Sequence, residues 1–117
     1  MRHMGLLKNA STGTIIATRV DRAASFLQRA VGLLARPNVR PDEGLWIERC
    51  NAIHTMAMRS PIDVIFVDDT GRVKRVVHHV KPHKLAVTCF SAKAVIELGA
   101  GTLEAEDVLV GDLLELV

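Results

Sequence analysis

The segment Ile62-Asp-Val-Ile-Phe-Val-Asp68 constrains this chain more than any other. It is dominated by β-branched and aromatic side chains and is bounded by Pro61 and by Asp69-Thr-Gly71, so it reads as a strand entering a tight turn. Arg72–Val80 follows with more β-branched residues and forms the second arm of a hairpin, which Pro82 ends. Strand alternation places Asp63, Ile65 and Val67 on one face, opposite Ile62, Val64, Phe66 and Asp68.

The rest of the chain is built from similarly short pieces. Residues 5–10 and 14–20 read as strands around the Ser11–Gly13 turn. Asp21 is placed to cap a helix over about 22–34, with Ala23, Phe26, Leu27, Ala30, Val31, Leu33 and Leu34 at helical spacing. Pro37 stops that helix near Arg36, and 37–44 is a loop by its proline and glycine content. Gly44–Arg49 forms a strand with Leu45 and Ile47 opposite Trp46. Cys50–Pro61 is irregular. Later strands are expected over 85–90 and 113–117, with a strand or helical turn at Ala94–Leu98 and a helical turn at Leu103–Asp107. The expected class is mainly β: a compact single-domain barrel or sandwich of antiparallel or mixed strands, with one early α-helix and short helical turns.

Composition narrows the function classes. The chain has 117 residues, 49% of them hydrophobic but only 3% aromatic, with one Trp and no Tyr. This length suits one domain over 1–117, with 1–4 flexible, whose core is aliphatic. Scarce aromatics and a net charge of +2 argue against nucleic acid as a partner. No continuous apolar stretch has spanning length, and the N-terminus lacks a signal-peptide h-region, so the expected location is cytoplasmic with no membrane partner. Cys50 and Cys89 have no disulfide-framework or zinc spacing, and neither a metal nor another cofactor is expected. A monomer or weak homodimer is expected.

Charge is unevenly distributed. Arg72–Lys84 contains five Lys or Arg, three His and no acid, whereas Ala94–Val117 contains six acids and no base. The two segments could neutralise each other across a sheet, or the basic strip could meet an anionic partner. If His78 and His79 lie on a regular strand, they point to opposite faces.

Asp63 is the other anomaly, because a carboxylate inside an apolar strand must be paired or kept wet. Arg59, Arg29, Arg36 and His54 are candidate partners. His54 in the irregular stretch has the chemistry of an acid, base or ligand.

Several blocks together resemble one family, domain of unknown function 192. They are Arg29-Ala-Val-Gly-Leu-Leu-Ala-Arg36, Glu43-Gly-Leu45, His54-Thr-Met-Ala-Met-Arg59, Ile62–Asp68, Val95-Ile-Glu-Leu98 with Ala100-Gly101, and Gly111-Asp112. Their order and spacing extend the resemblance over about 12–117. The family implies a compact, mainly β domain and no established activity. It directs the site reading to Arg29, Arg36, His54, Thr55, Met58, Arg59 and Asp63 as ligand-binding residues.

The function read from these residues is a small binding or accessory domain. Its polar Arg/His/Asp cleft would take an anionic or polyhydroxylated small molecule. One alternative is a hydrolase or transferase with His54 as acid/base and Asp63 orienting it, making these two the catalytic candidates. The other is a protein-interaction module that meets its partner through a sheet face or charged edge.

Overall fold

The structure is a computed structural model that describes residues 4–23, 39–55, 58–84 and 86–117. Among these residues the chain is built from strands and turns. They are β1 (Met4–Asn9), β2 (Thr14–Ala23), β3 (Glu43–Glu48), β4 (Ala52–Ile53), β5 (Ile62–Val67), β6 (Val73–Val80), β7 (Val87–Thr88), β8 (Ala94–Gly99) and β9 (Leu114–Leu116). A seven-stranded sheet runs β6-β5-β8-β3-β2-β1-β9, and β4 pairs with β7 in a second, two-stranded sheet. The β2–β3 pair is parallel, while the other pairs are antiparallel.

The outer strands of the large sheet meet again. Arg72 and Leu113 form an isolated antiparallel bridge. Beside it, Val73 N–H donates to the Asp112 carbonyl at 2.8 Å and Leu114 N–H donates to the Gly71 carbonyl at 2.9 Å. These bonds close the sheet into a barrel-like shape, satisfying backbone groups that an open edge would expose.

Closure gives each strand an inner and an outer face. Inside lie Leu7, Val20, Trp46, Ile65, Ile96 and Leu98, with Leu103 and Val108 from the C-terminal loops. Outside, Ile47, Ile62, Val64, Phe66 and Val95 pack with Ile53 of β4 and Met58. Every residue of β5 is buried, as its doubly apolar sequence requires. Trp46 faces the interior and Ile47 the outer cluster, following the alternation expected for β3.

The expectation of an early helix needs correction, because no helix occurs among the described residues. Asp21 is not a helix cap; it lies inside β2 and pairs with Leu45 of β3. Ladder hydrogen bonds from Arg19 to Ala23 satisfy the backbone that a helix would have used, so tertiary pairing overrides the local capping signal. Residues 24–34 of the expected helix lie outside the described residues. The expected helical turn at Leu103–Asp107 is a hydrogen-bonded turn, with Asp107 N–H donating to the Glu104 carbonyl at 3.1 Å. Ala94–Leu98 resolves as strand.

Candidate functional site

Asp63 points into the barrel interior. Its position is explained by an irregularity in the β5–β6 ladder, where Ile62 pairs with Val80 and Val64 with Val77. Asp63 therefore faces two residues, His78 and His79, in a β-bulge. His79 takes a φ of 53°, the left-handed region that a side chain tolerates poorly. Asp63 Oδ1 accepts the His79 N–H at 2.8 Å, and Oδ2 accepts the Leu103 N–H at 3.3 Å. A buried carboxylate thus satisfies a bulge amide and fastens the C-terminal loop over one end of the barrel.

Thr55 does similar work on the next turn. Its hydroxyl donates to the Lys81 carbonyl and accepts the Lys84 N–H, both at 2.8 Å. Its own N–H donates to the Lys84 carbonyl at 2.9 Å, and its carbonyl accepts the His83 N–H at 2.7 Å. One buried threonine therefore fixes the backbone of Lys81–Lys84 from within.

The segments held by Asp63 and Thr55 line one groove. It has a volume of about 440 Å³ and runs between β6 and Ala86–Thr88. Arg75, His78, His79, Lys81 and Lys84 line it, and among the described residues no carboxylate does. Arg75 is braced by a 2.5 Å hydrogen bond from Nη1 to the Thr88 carbonyl. The bulge resolves the placement of the paired histidines: on a regular strand they would diverge, yet here both line the groove.

Among the described residues, the acidic C-terminal region meets the basic strip at its start. Arg72 Nη1 donates to the Gly111 carbonyl at 2.9 Å. Asp112 is held below the usual carboxylate range by hydrogen bonds from Leu109 and Asn9, and the Arg72 charge adds to this.

A second concavity, the barrel mouth, has a different character. It has a volume of about 420 Å³ and includes Arg22, Trp46, Glu48, Arg49, Asp68 and Lys93 in its lining. Arg22 sits 5.4 Å above the Trp46 ring and pairs with Glu48 at 2.6 Å. Asp68 is drawn down to about 2, first by the Thr70 hydroxyl and then by the Arg72 amide. Its charges are mixed, and Arg22 is already engaged.

The remaining site expectations are spread through the fold. Arg29 and Arg36 lie outside the described residues. His54 is exposed beyond β4, and Arg59 is exposed. Met58 is buried in the outer cluster, whereas Asp63 faces the interior, so these two do not share a cleft. Sequence reasoning passed over Arg75, Lys81 and Lys84 as individual site residues, although it noted their charge run. It also passed over Glu97, which stands between Leu45 and Val64 in the ladder. Glu97 is only 2% exposed, and its Oε1 has no hydrogen-bond partner among the described residues. Burial pushes its carboxyl up to about 7. Like Asp63, Glu97 is a carboxylate within an apolar strand, Ala94-Val-Ile-Glu-Leu98, and is visible as such in the sequence.

A family model for DUF192, described as an uncharacterized ACR, matches residues 7–116. The chain belongs to this family. A UPF0127 protein of Pyrococcus furiosus is 36% identical over 110 residues, covering 92% of this chain and 94% of that protein. A UPF0127 protein of Thermococcus sibiricus is 32% identical over 115 residues, covering 92% of this chain and 71% of the other. Among solved structures, a Sinorhizobium meliloti protein described as a candidate transcription regulator superposes with a TM-score of 0.79 at 27% identity, covering 99% of this chain and 94% of its own. A protein of unknown function from Novosphingobium aromaticivorans shares the fold, with a TM-score of 0.77 at 21% identity over 97% of this chain and 84% of its own. The DUF192 blocks around Thr55 and Asp63 thus coincide with the two internal supports of the basic groove.

Proposed function

We propose that this DUF192 protein is a binding domain for an anionic ligand, taken up in the groove along β6. The observation that carries this reading is the groove's one-signed lining: Arg75, His78, His79, Lys81 and Lys84, with no carboxylate among the described residues. Cations gathered on a concave surface concentrate field and attract phosphate or carboxylate groups. Arg75 supplies a planar donor set, and the lysines supply compact charges that adjust to the ligand.

In this reading Thr55 and Asp63 are positioning residues. They touch backbone under the groove and set where its cations stand. His54 and Arg59 are outlying residues that a larger ligand would reach.

Calorimetric titration with pyrophosphate tests the reading. Binding that weakens as salt rises, and weakens about tenfold in Arg75→Ala, is the expected result. Binding that is unchanged in Arg75→Ala and Lys84→Ala would contradict the site, and no heat at low salt would contradict the function.

A further inference from the structure

We infer that the ligand of this groove is an extended acidic segment of a partner protein, added as a strand along the outer edge of β6. The inference rests on the anion-binding reading and deepens it.

The first observation is the edge itself. β6 is the last strand of the large sheet, with β5 on its inner side. Its other side rejoins the chain only at its start, where Arg72 and Val73 meet residues 111–113. Among the described residues no strand pairs with that side between Lys74 and Val80. An unpaired edge offers a row of backbone donors and acceptors to an extended peptide.

The second observation is length. Arg75 and Lys81 both line the groove, and a fully extended chain covers at most about 20 Å over the interval between them. One phosphate or carboxylate cannot contact both ends. A peptide strand repeats its side chains on one face about every 7 Å, so alternate acids can meet successive cations. An added strand occupies roughly 160 Å³ per residue, from its rise and the strand and sheet spacings. The groove's volume of about 440 Å³ then encloses about three residues, and the rest of a strand running from Arg75 to Lys81 would lie along the surface outside it.

The third observation concerns the alternative polyanion. A single-stranded nucleic acid would use aromatic faces to stack its bases, and among the described residues this groove offers only the imidazoles of His78 and His79, with no Phe, Tyr or Trp. Its apolar lining is Val77, Val80, Ala86 and Val87, which suits aliphatic side chains between the acids. Cations and a bulge such as that at His78 and His79 can also guard an edge against pairing; an edge so guarded would bind an acidic peptide by charge alone, regardless of its backbone amides.

The test measures fluorescence anisotropy with the full chain and a labelled decapeptide alternating glutamate and threonine. Its controls are the fully N-methylated decapeptide, the lysine–threonine decapeptide, oligo-dT and unlabelled pyrophosphate. The expected result is that the acidic peptide binds at least about tenfold more tightly than its N-methylated form. Pyrophosphate should displace it, Lys84→Glu should abolish binding, and bound peptide should slow hydrogen exchange at Lys74–Val80. Equal binding of the N-methylated peptide alongside pyrophosphate binding would overturn strand addition and leave the anion site standing. Failure of both pyrophosphate and peptide would overturn both readings. Tighter binding of oligo-dT, or of the lysine peptide, would overturn the choice of partner.

Discussion

Asp63 and Glu97 are both buried carboxylates, and the protein accommodates them by opposite means. Asp63 accepts amides from His79 and Leu103, so its charge is balanced by oriented backbone dipoles. Asp63→Ala should strand both amides and cost about 3 kcal/mol, lowering the thermal midpoint by roughly 10 °C. Asp63→Asn keeps one acceptor and should lose about half as much; calorimetry reads both. Glu97 has only apolar ladder neighbours, and burial raises its carboxyl from 4.5 to about 7. The native state therefore holds a proton that the unfolded chain releases between these values. Stability should fall as pH rises through this window, by on the order of 3 kcal/mol in total, and level off above it. Glu97→Gln should flatten that dependence in urea melts at pH 5 to 8, whereas an unchanged slope would contradict the assignment. Both anomalies can be read in the sequence, because each acid interrupts an apolar run. Asp63's partners cannot, since the bulge at His78 and His79 has no local sequence marker.

The elements show where local signals prevail and where they yield. Alternation in β5 and β3 correctly separates inner from outer residues, because each strand is covered on both faces. The Asp21 capping signal yields because Arg19–Ala23 finds a parallel partner in Glu43–Ile47, and no window of local sequence contains that partner. β4 and β7 are short, and their pairing gives a strand partner to Ala52–Ile53, in a stretch that looks irregular alone. Thr55 shows the same dependence on distant contacts: nothing near it in sequence announces that it holds Lys81–Lys84. Thr55→Val should remove both hydroxyl bonds, cost about 2 kcal/mol and weaken pyrophosphate binding several-fold. Thr55→Ser should restore binding, which separates positioning from simple packing. At the end of β8, a side-chain carbon at Gly99 would lie 2.1 Å from the Arg40 carbonyl oxygen. Gly99→Ala should therefore push the 39–42 segment away and cost about 1–3 kcal/mol, measurable by urea denaturation.

At the scale of the molecule, closure of the sheet explains how a chain with 3% aromatic residues builds two cores. Aliphatic side chains fill the interior, while the reverse faces of the same strands pack under β4, β7 and the segment around Met58. This arrangement leaves the basic strip along β6 facing a groove, with C-terminal acids among the described residues meeting it near Arg72. The sequence conveys the unequal charge and the two-faced central strand. It cannot convey that a bulge and a buried threonine bring those cations together, because both depend on contacts made only after the sheet closes.

Amide chemical-shift mapping of the full chain during a pyrophosphate titration tests this account most directly. The account predicts saturable shifts concentrated in Arg75–Thr88, with smaller ones at Thr55 and Asp63 beneath them. Shifts centred on Arg22, Trp46 and Lys93 at the barrel mouth, or none that saturate, would contradict it.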